Sequence, residues 1–178
     1  AQQHGYGRHE PPRYLPTVAL SLYKLDRGDE ISIWLERLDH WFDELDEEEQ
    51  KQERRDYLAA TMSLLDFFSV FRPERVLPRR RAYQDEVRAL KDSYPLRRLA
   101  CALEAYPELL EESVALHRES ASYLGRHSKK NFALGNDNEA EAQMSAENLA
   151  SAERKLAEHK AQAQPAGTAN RKPWWKLW

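Results

Sequence analysis

Apolar positions recur at helical spacing along most of the chain. Leu15, Val18, Ala19, Leu22 and Tyr23 follow the i, i+3, i+4, i+7, i+8 pattern of one helix face. Pro16 near its start and Gly28 beyond its end suit a helix there. The alternation Val18, Leu20, Leu22 also permits a strand, but no second strand is visible to pair with it. A second helix is predicted from about Glu30, with Asp29 as N-cap. Its face carries Ile31, Trp34, Leu35, Leu38, Trp41, Phe42 and Leu45. The acidic run Asp43 to Glu49 reads either as a helix end and turn or as a continuous exposed helix. Glu47 and Glu48 are spaced to pair with Lys51, which favours partial continuity.

The third helix, from about Glu53 to Phe71, is the most apolar. Leu58, Met62, Leu64, Leu65, Phe67 and Phe68 spread over more than one face, as in a helix central to a bundle or lying at a subunit interface. Trp34, Trp41, Phe42, Leu65 and Phe68 are its expected core and that of the second helix. A fourth helix is read from about Arg79 to Ser93, stopped by Pro95, and a short fifth carries Leu96, Leu99 and Leu103. The sixth opens near Pro107, bears the seam Leu110, Val114, His117, Ala121 and Leu124, and has Gly125 as its C′ residue. Glu139 to Gln164 is rich in Ala, Glu, Gln and Lys with a thin apolar stripe. It reads as an exposed helix, one that could stand isolated from the rest.

The resulting expectation is an all-α protein, a multi-helix bundle of about six helices over residues 15–125. Residues 1–14 form a disordered lead, 126–164 a loop and the exposed helix, and 165–178 a flexible basic Trp-rich tail. Hydrophobic residues make up 41% and charged residues 32% of the 178, polar for a single globule, so part of the length is expected outside the core. The first residues lack the apolar region of a secretory signal, and the apolar-leaning stretch 57–71 is too short and too polar to span a bilayer. With Cys101 as the sole cysteine, neither an internal disulfide nor a thiolate metal cluster can be built, which fits a reducing, cytoplasmic setting. Cys101 reads as a small core filler among Leu99, Ala100 and Leu103.

Candidate chemistry is sparse. No glycine lies between Asp29 and Leu124, and neither phosphate-binding glycine pattern occurs anywhere. There is no H-E-x-x-H, and no Glu precedes a His by three residues, so no metal site and no cofactor are expected. The Glu36–His40 and Asp39–Asp43 pairs read as a solvated helix flank, and His117 as a core histidine bonded to a neighbour. No serine or cysteine nucleophile motif appears, and nothing argues for catalysis.

Two features stand out. Arg72, Arg75, Arg79, Arg80 and Arg81 form a basic connector whose guanidinium forks suit phosphate or carboxylate groups. The plainer reading has them capping the third helix or pairing with Asp43–Glu49. The net charge of -3 predicts no general affinity for nucleic acid. The second feature is the tail, where Trp174, Trp175 and Trp178, three of the five tryptophans, stand beside Arg171, Lys172 and Lys176. Indoles with cations suit a docking peptide for a protein partner, an interfacial membrane contact, or base stacking. The plain alternative folds the tail back on its own bundle. The tail resembles the basic, Trp-Trp-containing ends of some plasmid mobilisation proteins, which implies an accessory role in DNA transfer. The leading expectation is a non-catalytic adaptor that docks a protein partner through Lys172, Trp174, Trp175, Lys176 and Trp178. A nucleic-acid accessory protein using the arginine cluster and the tail is the runner-up. Peripheral membrane contact and self-association remain open.

Overall fold

The structure, a computed structural model, describes residues 14–124 and 138–163. Over them the chain forms seven α-helices and no strand. They are α1 (Leu15–Lys24), α2 (Ile31–Asp43), α3 (Glu47–Ser69), α4 (Pro73–Ala89), α5 (Ser93–Leu103), α6 (Leu110–Ala121) and α7 (Asn138–Ala163), with short 3-10 turns at Gly28–Glu30 and Pro107–Leu109. No helix among the described residues is long and apolar enough to cross a membrane.

α3 is the centre. α1, α2, α4 and α5 all pack on it, α6 covers the far side of α5, and α7 lies along α6. That position explains why its apolar residues go round the helix: Leu58, Met62, Leu64 and Leu65 are all at most 1% exposed, and Thr61 and Ser63 between them are buried too. Phe42, Leu65 and Phe68 are buried as expected, whereas Trp34 and Trp41 are only half-buried at the border of the core. An indole there covers apolar surface without leaving solvent fully. Trp34 does so between the Tyr14 ring and the Arg37 guanidinium.

Several helix ends differ from their sequence expectation. Asp29 does not cap α2. Its carboxylate takes Arg72 instead, and a 3-10 turn leads into the helix. α3 begins six residues earlier than periodicity placed it, because Asp46 accepts from the Glu48 and Glu49 amides while Glu49 returns the bond to the Asp46 amide. The acidic run thus splits into a turn after α2 and a first turn for α3, where carboxylates meet the positive end of the helix dipole. α4 likewise starts at Pro73, so the basic stretch from Arg75 is helix, not connector; Pro78 lies inside α4. Pro95 sits in the first turn of α5, and it is Asp92 that caps that helix.

α7 is exposed over most of its surface, but it is not isolated. It runs antiparallel to α6, with Arg118 bonded to Glu153 and Lys160 to Glu111, and buries Ser145 and Ala152. Small residues let the two backbones come close, which an apolar-stripe criterion does not detect.

Candidate functional site

Of the five arginines singled out in the sequence, three are engaged within the protein. Arg72 makes a two-pronged bond to Asp29 at 2.7 and 3.0 Å. Arg79 holds Asp39, which also accepts from the Tyr57 hydroxyl at 2.8 Å. Arg80 is 1% exposed and reaches Glu112 at 3.2 Å, beside Gln84, which donates to the same carboxylate. Burial pushes the Arg80 pKa down, and Glu112 opposes it. None of these partners belongs to the Asp43–Glu49 run. Arg75 and Arg81 are exposed and have no ion pair among the described residues. Lys172, Trp174, Trp175, Lys176 and Trp178 lie outside the described residues.

The densest titratable chemistry lies elsewhere, around α5. That helix is clasped by α3 on one side and α6 on the other, so its polar residues are carried inward with its apolar ones. Cys101 in the last turn of α5 and Glu104 at its C-cap, three residues on, face His117 of α6. One ligand atom from each of the three lies within 4.8 Å of the other two. His117 is wholly buried, its Nε2 is 3.0 Å from Glu104 Oε1, and its Nδ1 has no hydrogen-bond partner. From α7, Lys155 donates to Glu104 Oε2 at 2.6 Å and Asn148 donates to Cys101 Sγ at 3.6 Å. On the α3 side Arg98 donates to Asp66 at 2.7 Å.

Burial pushes the Glu104 carboxyl up, but the bonds from His117 and Lys155 outweigh it and hold the pKa below its ordinary value. Burial, reinforced by the Asp66 and Glu104 carboxylates, pushes the Cys101 thiol far up. A thiol so held is a poor nucleophile, since the thiolate is the reactive form.

The sequence pointed to His117 through its place in the α6 seam and to Cys101 only as packing. It missed Glu104. The available signal was Cys-x-x-Glu at the end of one helix followed by an in-register histidine on the next, a spacing unlike the Glu-x-x-His of a helical di-iron site.

Among the depressions on the described surface are two shallow ones. One is lined by Phe42, Glu47, Gln50, Lys51 and Arg54, the other by α6 and α7 residues including Glu111, Arg118 and Leu156, and neither is lined by the Cys101 group. A third surface feature is an apolar corner where α1 and α3 end. There the Tyr23 ring meets Phe67 and Phe71 at 5.7 and 5.9 Å, next to exposed Leu25 and Val70. No protein-family model matches the chain, and no curated protein or solved structure matches it either.

Proposed function

We propose that the protein is a non-catalytic, cytoplasmic helical adaptor or assembly module that docks a protein partner through its C-terminal Trp-rich segment. The observation that carries this reading is the placement of Trp174, Trp175 and Trp178 beside Lys172 and Lys176. Each indole can bury a large apolar area while its N–H finds an acceptor, so a few such anchors dominate a small interface. Two structural facts lend support. Arg72, Arg79 and Arg80 spend their guanidinium groups on Asp29, Asp39 and Glu112, which weakens the competing nucleic-acid reading. The aromatic corner at Tyr23 and Phe71 is contiguous apolar surface of the kind that protein contacts use.

The test compares the whole chain with one lacking Arg171 to Trp178, and with one in which only the three tryptophans are alanine. Affinity capture of protein partners is expected from the whole chain and lost from both variants. Capture that survives the deletion overturns the reading. Flotation with liposomes, in place of protein capture, moves it to a membrane surface.

A further inference from the structure

We propose that Cys101, Glu104 and His117 form a binding site for a divalent transition-metal ion of the zinc class. Their donor atoms are one sulfur, one carboxylate oxygen and one imidazole nitrogen, a set that matches zinc and cobalt and does not suit magnesium or calcium. With bonds near 2.0–2.3 Å, ligand atoms about a tetrahedral ion stand roughly 3.4 Å apart. Glu104 Oε1 and His117 Nε2 are 3.0 Å apart and all three donors fall within 4.8 Å. Small side-chain rotations therefore bring them onto one ion, leaving a fourth position for water.

The second observation is the imidazole itself. His117 is 0% exposed, and its ring bonds through Nε2 to Glu104 Oε1, so the nitrogen on the site side is fixed toward the other two donors. A neutral imidazole carries its proton on one nitrogen and leaves the other a lone pair to donate. The flanking residues are arranged to serve such a site. Lys155 holds Glu104 Oε2, so Oε1, which meets His117 Nε2 when no ion is bound, is the oxygen that turns to the ion, and the Asn148 amide points a donor at Cys101 Sγ. Both come from α7, so an ion there would tie α7 to α5 and α6.

On binding, the ion sheds waters and the Cys101 thiol releases its proton to solvent, so that sulfur ligates as the thiolate. The burial that keeps the thiol protonated is outweighed once a cation sits on the sulfur.

The experiment uses the full chain, stripped of metal with a chelator, and titrates it with Co²⁺ and then Zn²⁺. One equivalent of Co²⁺ should produce a thiolate-to-cobalt charge-transfer absorbance, which Zn²⁺ then displaces. Zn²⁺ should also raise the Tm and slow amide exchange across 138–163. Cys101→Ser should abolish the charge-transfer band, Glu104→Gln and His117→Asn should weaken binding, and Asn148→Ala should weaken it by about 10–100-fold, as loss of a supporting contact does. His40→Gln, on the exposed face of α2, should change nothing. If His117→Asn does not fold, the near-isosteric Cys101→Ser and Glu104→Gln carry the test, with circular dichroism confirming their helices. Absence of a one-to-one complex overturns the proposal. So does a complex that Cys101→Ser leaves unaltered, since that places the metal on surface histidines.

Discussion

At Gly28 the backbone passes so close to Phe71 that a β-carbon would collide with the ring. The sequence pointed to this glycine as the end of α1, but the turn there is made by another residue. Asp26 has φ of 56°, with its amide bonded to Tyr23 and that of Arg27 to Leu22, the paired bonds of a Schellman ending. Glycine is needed instead for contact, at the corner where α1 and α3 meet. Gly28→Ala is expected to cost about 1–3 kcal/mol, the usual range for overpacking. Combining it with Phe71→Ala should cost less than the sum of the two single changes, and a denaturant-melt cycle measures this. Leu65→Ala, at a site 1% exposed on the central helix, should cost about 2–5 kcal/mol in the same assay. Periodicity was enough to identify Leu65 as core because Leu58, Met62, Leu64 and Phe68 surround it on the same helix. It could not separate Trp34 and Trp41 from full burial, since a helical pattern gives a residue's direction and not the depth of the layer above it.

The helices were legible wherever an apolar face drove them, and their starts were hidden wherever a polar cap did. α3 is the clearest case. Its first turn has no apolar residue before Tyr57 to mark it, yet Asp46 and Glu49 close a reciprocal cap that fixes Glu47 as helix. Asp46→Ala should remove about 1 kcal/mol of stability, within a range of roughly 0.5–2, and fray the amides of the first turn in hydrogen exchange. Full protection there in the variant would mean that tertiary packing, not the cap, starts the helix. α7 was read as exposed, and so it is, but its docking relies on Ser145 and Ala152, residues that carry no hydrophobic signal. Ala152 is 0% exposed, so Ala152→Leu should destabilise by about 1–3 kcal/mol. On an isolated helix the same change would be nearly neutral, because leucine stands just below alanine in helix propensity. Thermal melts of that single variant distinguish the two arrangements.

For the molecule as a whole, the distribution of charge decides how the runner-up reading is to be tested. Five arginines close in sequence look like one basic surface, and the sequence alone suggests neutralising Arg79, Arg80 and Arg81 together. The fold separates them into two kinds. Arg79 and Arg80 bridge α4 to Asp39 of α2 and Glu112 of α6, so removing them breaks ties between helices and, at Arg80, empties a buried position. A loss of DNA binding in that triple variant would be indistinguishable from a loss of fold. Arg75 and Arg81 are exposed and lack ion pairs among the described residues, so Arg75→Ala with Arg81→Ala is the clean variant. Two phosphate contacts would contribute roughly two units to the slope of log affinity against log salt. Because the net charge is -3 and most of the cluster is internally matched, duplex DNA is expected to bind only weakly near physiological salt, with or without the two arginines. The Arg79→Ala, Arg80→Ala pair should instead lower the melting temperature with no nucleic acid present. Fluorescence anisotropy over a salt series, paired with thermal melts of both double variants, reads the two effects separately. Submicromolar binding that falls, with a flatter salt slope, in the Arg75/Arg81 variant while its melt is unchanged would move nucleic acid ahead of a protein partner.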